Sequence, residues 1–320
     1  MLLSVEDLSV HIGVINPLSD LSFGVDRGQI LGLVGESGSG KSLTAMAVMG
    51  LLPLIGGRIS AGRILFDGTD LAKLPEAALR GYRGRRIALV TQNPMTALDP
   101  VVRVGRQVDV MGRMHLGLSA DEARRRTIEL LTRLRIPEAQ AVCEAYPHQL
   151  SGGMKQRIVI AIALAGEPDL IVADEPTTAL DVTVQAQIIH LLGELVRDRG
   201  LGMLLITHDM GVVAQVCDQV AVLYAGRLAE SRPAEALFEH PLHPYTSALI
   251  GCIPRDGMAP GSLHGIAGAV PSVARYPAGC RFHPRCPRAG EICARQTPEL
   301  TELTGAGRLA CHFPLEGTHG

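Results

Sequence analysis

Residues 35–42 read Gly-Glu-Ser-Gly-Ser-Gly-Lys-Ser. Residue types in this order suit the holding of a polyphosphate. Gly35, Gly38 and Gly40 let backbone N–H groups turn inward onto phosphate oxygens. Lys41 brings a mobile cation to the β- and γ-phosphates, and the Ser42 hydroxyl can ligate Mg²⁺. Glu36, Ser37 and Ser39 fill the variable positions. A ligand-free Gly/Ser turn is the plain alternative, and the context opposes it. The apolar run Ile30 to Val34 reads as a strand leading in, and the residues from Ser42 to Leu52 read as a helix leading out. The helix start adds a partial positive charge. A second set lies at Leu170-Ile171-Val172-Ala173-Asp174-Glu175-Pro176. An Asp ending a buried strand can hold Mg²⁺, and the adjoining carboxylate can polarise an attacking water. By itself Asp174 would read as a helix N-cap. Beside the phosphate loop, the pair reads as catalytic.

These sets need a scaffold. Residues 1–34 alternate apolar and polar, which predicts short antiparallel strands before the buried strand. Turn signals at Gly56-Gly57 and Asp67-Gly68 precede another apolar strand near Ile87. From about Met95 to Ala165 the periodicity is helical; the strand at 170, a helix from Val182 and a strand from Met203 follow. Strands alternating with helices predict an α/β fold with a mainly parallel sheet. After about Arg232, Pro, Gly, His and Cys become frequent and periodicity weakens, so residues 233–320 are expected to form a small appendix.

Composition narrows the functional classes. The chain has 320 residues, 30 Lys+Arg against 32 Asp+Glu, and a net charge of −2. No basic field exists to attract nucleic acid or an anionic membrane surface. Hydrophobic residues at 47% and charged residues at 19% exclude a disordered chain. Mean hydropathy is +0.21, yet the richest run, Ile158 to Ala173, is broken by Glu167, Pro168 and Asp169. No membrane span is therefore expected. The first residues carry acids and no basic stretch, so no secretory signal is expected and the cytosol is the expected compartment. Only Lys41, Lys73 and Lys155 are lysines, in keeping with a high-GC genome.

With these residues in hand, the sequence strongly resembles the ATP-binding-cassette (ABC) transporter ATPases over residues 1–232. Leu150-Ser151-Gly152-Gly153-Met154-Lys155-Gln156-Arg157 looks like the signature that separates this family from other phosphate-loop proteins. Gln92 looks like the Q-loop glutamine, Thr178-Ala179-Leu180-Asp181 like the D-loop, and His208 like the switch histidine. Taken singly, each is an ordinary loop residue; their order around two nucleotide motifs gives them weight. The resemblance implies a P-loop ABC ATPase domain with an antiparallel β subdomain and a helical subdomain at about 95–165, followed by the cysteine-containing appendix. It implies ATP and Mg²⁺ as cofactors, with Ser42, Gln92 and Asp174 around the metal. Glu175 would polarise the water, with His208 and Gln92 beside the γ-phosphate. Ser151, Gly152, Gly153 and Asp181 would serve ATP held by an opposite subunit, from a helix beginning near Met154. The family usually stacks adenine on an aromatic residue; here that region offers His11, which reads equally as a half-exposed strand histidine.

The tail narrows the resemblance. His240-Pro241-Leu242-His243-Pro244-Tyr245-Thr246, and Asn93-Pro94-Met95-Thr96-Ala97-Leu98-Asp99-Pro100, look like segments of oligopeptide/dipeptide permease ATPases. Cys280, Cys286, Cys293 and Cys311 are spaced C-x5-C-x6-C-x17-C. Four clustered thiols in a cytosolic protein suggest metal more than disulfides. Zinc usually takes tighter C-x2-4-C spacing, and wider spacing suits an iron–sulfur cluster. The resemblance points to a 4Fe–4S cluster, with Arg281, Arg285, Arg288 and Arg295 balancing its charge. Zinc and unmetallated thiols stay open. Cys143, Cys217 and Cys252 read as small apolar residues.

The expected function is the ATP-hydrolysing subunit of a bacterial importer for di- and oligopeptides. It would sit on the cytoplasmic face of the inner membrane, with two transmembrane permease subunits, an extracytoplasmic substrate-binding protein and a second, related ATPase. A nickel or other small-solute importer is the near alternative. A non-transport ABC ATPase is the distant one, and a nucleic-acid module lacks the basic field.

Overall fold

The computed structural model describes residues 1–177, 180–254, 265–303 and 307–315. Backbone contacts divide the chain into two units, and the first is assembled from three stretches, Met1–Asp26, Ile30–Lys73 and Ile206–Gly320. Its opening stretches supply β1 (Leu3–Ile12), β2 (Ile15–Val25), β3 (Ile30–Val34), α1 (Lys41–Val48), β4 (Gly57–Phe66) and β5 (Thr69–Asp70). The second unit takes Arg27–Gln29 and Leu74–Leu205. It holds α2 (Glu76–Tyr82), β6 (Ile87–Val90), α3 (Pro94–Ala97), α4 (Val104–Leu116), α5 (Ala120–Arg133), α6 (Ala139–Val142), α7 (Gly152–Leu164), β7 (Leu170–Asp174), α8 (Val182–Arg199) and most of β8 (Gly202–Thr207). The chain then returns to the first unit with α9 (Met210–Val216), β9 (Gln219–Tyr224), β10 (Arg227–Pro233), α10 (Ala234–Glu239), α11 (Pro244–Gly251), α12 (Glu291–Arg295), β11 (Thr301–Leu303) and β12 (Gly307–Leu309).

In the first unit, β2, β1, β4 and β5 form a four-stranded antiparallel sheet in that order. The strands were expected to be short, yet β1 has 10 residues and β2 has 11. Register shifts around Leu8 and Val10 let the long pair bend while Leu3, Val5, Leu8 and Val10 stay buried. The buried strand β3 pairs in parallel with β9, and Asp218 accepts a hydrogen bond from the Ile30 N–H at 2.7 Å where the two begin. All five residues of β3 are buried, as a parallel strand covered on both faces requires.

The segment expected as an appendix at 233–320 belongs by contacts to the first unit. β12 pairs antiparallel with β10 at Glu230↔Leu309 and with β11 at Thr301↔Leu309. Three-residue strands carry too little periodicity to be read from sequence, so the tail's attachment was not legible there.

In the second unit, β6 pairs in parallel with β7, from Ile87↔Leu170 to Val90↔Ala173. The helical stretch begins at α3 and ends with α7. Salt bridges hold it: Arg124 reaches Asp109 at 3.0 Å and Glu144 at 2.6 Å, tying α5 to α4 and to the turn after α6. Ser119 and Glu122 cap α5 reciprocally. The signature helix was expected near Met154; α7 begins at Gly152, because the Ser151 hydroxyl accepts the Met154 N–H and so caps it.

Candidate functional site

The phosphate loop lies where the sequence places it, between β3 and α1 in the first unit. Two glycines are obligatory there. A side chain on Gly35 (φ +148°) would meet the Leu223 carbonyl at 2.2 Å, and Gly40 adopts φ +105° at the N-cap of α1. The Lys41 Nζ donates to the carbonyls of Gly35 (2.7 Å) and Glu36 (3.0 Å), folding the lysine over the loop. Ser39 is fully buried, and its Oγ has no hydrogen-bond partner. An unpaired buried hydroxyl costs free energy, and here it lies in a cradle too tight at Gly35 for any Cβ. The loop so described fits phosphate oxygens. Ser42, at the second position of α1, offers a hard oxygen of the kind Mg²⁺ takes.

Sequence reasoning missed what surrounds this loop. The Tyr245 hydroxyl accepts the Glu36 N–H at 2.9 Å, and Arg285 grips the Glu36 carboxylate with two bonds of 2.7 and 3.0 Å. Both residues stand in quoted stretches of the tail, but separations of 209 and 249 residues leave no local pattern.

The second unit brings together Gln92 and Glu175: the glutamine Nε2 donates to the carboxylate Oε2 at 2.8 Å. Glu175 follows β7 with φ +46°, a left-handed conformation that a non-glycine residue adopts at a cost. Strained backbone at a carboxylate that holds a neighbouring side chain is a mark of a functional position. Asp174 ends β7, half-buried beside it. In the same unit, Gly153 lies against α8, where a Cβ would meet Val184 at 2.8 Å, and Gly152 faces Leu180. Asp181 caps α8 by accepting the Val184 N–H at 2.9 Å. Of the D-loop stretch, Thr178 and Ala179 lie outside the described residues. His208, in the first unit, is exposed just after β8, ahead of Asp209, which caps α9. His11 is a half-exposed residue of β1.

In the tail, Cys280, Cys286, Cys293 and Cys311 are free thiols lining one small cavity of about 10 Å³, together with His283, His312 and Arg288. Burial pushes the Cys280 and Cys286 thiols up, and the Cys311 thiol to about 11. The cavity holds no more than one water. Among the described residues no group of three or more His, Cys, Asp or Glu side chains is arranged to hold a metal ion. The four thiols share a pocket, then, but in this arrangement they do not fit a metal.

The expectation that four arginines balance charge at these thiols is corrected for three of them. Arg285 turns to Glu36; Arg281 donates to the Ala225 carbonyl and, at 2.9 Å, to the Ser19 hydroxyl; Arg295 pairs with Glu291 one helical turn away. Each finds an oxygen acceptor stronger than a protonated thiol. Of the four, Arg288 lines the thiol cavity.

Comparison with known proteins gives the setting. The family described as ABC transporter matches residues 18–178, and that described as Oligopeptide/dipeptide transporter, C-terminal region, matches residues 229–293. The chain is 46% identical to the oligopeptide transport ATP-binding protein OppD of Salmonella typhimurium, over 99% of this chain and 95% of that one. It is 42% identical to the dipeptide transport ATP-binding protein DppD of Escherichia coli, over 98% of this chain and 97% of that one. A solved dimeric bacterial ABC transporter cassette superposes with a TM-score of 0.64 at 27% identity, covering 72% of this chain and 98% of that cassette. The chain belongs to the ABC transporter family and carries the C-terminal region of its oligopeptide/dipeptide transporters.

Proposed function

We propose that this chain is the ATP-hydrolysing subunit of an importer for di- and oligopeptides, working through separate membrane-spanning subunits. The observation that carries the reading is the phosphate loop, with Lys41 folded over it and the Ser39 hydroxyl buried and unsatisfied within it. The relatives named for oligopeptide and dipeptide transport support the substrate class.

The residues take these roles. Gly35, Glu36, Ser37, Gly38, Ser39 and Gly40 present backbone N–H groups to the phosphates, and Lys41 reaches the β- and γ-phosphates. Ser42, Asp174 and Gln92 offer the oxygens that would hold Mg²⁺, which supplies charge neutralisation to the transferring phosphoryl group. Glu175 takes a proton from the attacking water as general base. Gln92 orients that carboxylate through the hydrogen bond at 2.8 Å. His208 donates to the γ-phosphate. Ser151, Gly152, Gly153 and Asp181 serve ATP held by a second, related ATPase, so that two cassettes close over nucleotide and part after hydrolysis. Residues 1–232 form the ATP-handling domain and 233–320 the C-terminal one.

The partners are that second ATPase in a heterodimer, two permease subunits and an extracytoplasmic binding protein. The place of work is the cytoplasmic face of the inner membrane; among the described residues no helix is long and apolar enough to cross a membrane. Met95, Val101, Val110 and Met114 are exposed apolar side chains on the helical stretch, where the permease subunits would dock.

The four thiols are the sulfur donor set that a 4Fe–4S cluster would take, but their arrangement in the closed pocket does not support one, so the cluster stands as a separate proposal. No catalytic step passes through it. Iron and sulfide in equal amounts after anaerobic purification support that proposal, and zinc alone overturns it.

The test of function is uptake in cells lacking this gene, comparing labelled di- and oligopeptides with nickel. Peptide uptake restored by the wild type, but not by Glu175→Gln, supports the reading. Loss of nickel uptake alone overturns the substrate class and leaves the ATPase role standing.

A further inference from the structure

The phosphate loop carries an acid in a place built to accept a polyanion. Glu36 is the second residue of the loop, and its carbonyl already bears the Lys41 ammonium at 3.0 Å. A bare carboxylate so close to bound phosphates would repel them, because like charges interact strongly where water is partly excluded.

The chain's far end answers that charge. Arg285 closes on the Glu36 carboxylate as a two-bond fork of 2.7 and 3.0 Å, and its side chain is only 6% exposed. The same guanidinium donates to the carbonyls of Ala267 (2.8 Å) and Ile266 (3.1 Å), and to the Tyr224 hydroxyl at 3.3 Å. The Glu36 carboxylate in turn holds Arg285 firmly in its charged form. Tyr245, fully buried edge-on against Tyr224 at a centroid distance of 4.6 Å, holds the Glu36 amide. The carboxylate, the amide and the carbonyl of one loop residue are thus each held, two of them by the C-terminal segment.

We propose that Arg285 and Tyr245 are positioning residues for ATP: the C-terminal segment clasps the phosphate loop, and Arg285 neutralises Glu36 so that the loop accepts a polyphosphate. This rests on the nucleotide reading of the loop. It differs from a simple packing role in one respect. Removing Arg285 alone strands a carboxylate beside the phosphates, whereas removing both charges does not. Loss of the arginine is therefore repaired by loss of its partner.

The experiment is equilibrium binding of Mg·ATP to the full-length chain, with thermal unfolding of each variant alongside. Arg285→Gln is expected to weaken binding about tenfold through the stranded charge. The double variant Glu36→Gln/Arg285→Gln is expected to regain about fivefold of that loss. Tyr245→Phe, which keeps the ring and loses the acceptor, is expected to weaken binding about threefold. Should Arg285→Gln fail to fold, Arg285→Lys keeps the charge without the fork and is expected to bind within about threefold of wild type. A double variant no tighter than Arg285→Gln overturns the proposal, as does Arg285→Gln binding like wild type. So does Arg285→Lys binding tenfold more weakly than wild type. If the wild type itself binds no Mg·ATP, the nucleotide reading falls and the clasp with it. Wild-type binding with no recovery in the double variant overturns the clasp alone.

Discussion

Single residues give the sharpest predictions. Glu175 meets Gln92 at 2.8 Å on a strained backbone, and as the proposed general base it would carry the proton transfer. Glu175→Gln is expected to lower ATP hydrolysis by about 10² to 10⁴-fold while Mg·ATP still binds; phosphate release and nucleotide binding measured on one sample check this. His243 offers a pH test. It is 3% exposed, its Nδ1 accepts the Tyr245 N–H, and burial pulls it down to about 4. A histidine depressed in the folded state stabilises fully above the unfolded value near 6.5, and that stability is lost as pH falls toward 4. Between pH 7 and 4 the wild type should lose up to about 3 kcal/mol more than His243→Asn, which keeps the cap and cannot titrate. Urea unfolding across that range decides it. At this scale the sequence was legible wherever chemistry lies in contiguous residues. Lys41 needed only its neighbours to be recognised, while Asp174 and Glu175 took their weight from the strand they end together with the phosphate loop. Arg285 did not reveal its partner, because no local spacing encodes a contact 249 residues away. Its place between Cys280 and Cys286 drew it into the wrong environment.

Elements explain why some expectations met the structure and others did not. β3 and β7 are continuous apolar runs, and the burial of both follows from that pattern alone. The long helix α8 runs from its Asp181 cap to Gly200 in the left-handed region, as its sequence requires. β11 and β12 have three residues each; β12 takes its form from pairing with β10 and β11 from pairing with β12, so tertiary context decides them. The join between β10 and α11 depends on one fully buried acid. Glu230 has no exposure and accepts the Leu242 and His243 N–H groups at 3.0 and 2.9 Å. Glu230→Ala leaves one buried and one part-buried donor without acceptors and should cost about 2 kcal/mol or more; Glu230→Gln, which still accepts, should cost less. Denaturant midpoints of the two variants, compared at equal protein concentration, test the order.

At the scale of the whole molecule, the C-terminal region is bound into the unit that carries the phosphate loop. A chain ending at Arg232 loses the β12 partner of β10 and both Tyr245 and Arg285. It should aggregate through the bared strand edge and bind Mg·ATP poorly; size-exclusion profiles and nucleotide binding of the shortened chain check both. The first unit's three stretches carry a further consequence, one of time. β3 is synthesised early but its parallel partner β9 begins at Gln219, after the whole second unit, and Arg285 comes later still. A growing chain on the ribosome can fold the stretch from Leu74 to Leu205 first, because nearly all of that unit is one continuous piece of chain. It cannot seat the phosphate loop until nearly all of the protein has been made. Nucleotide competence is thus acquired last, and a chain interrupted midway through translation is released without it.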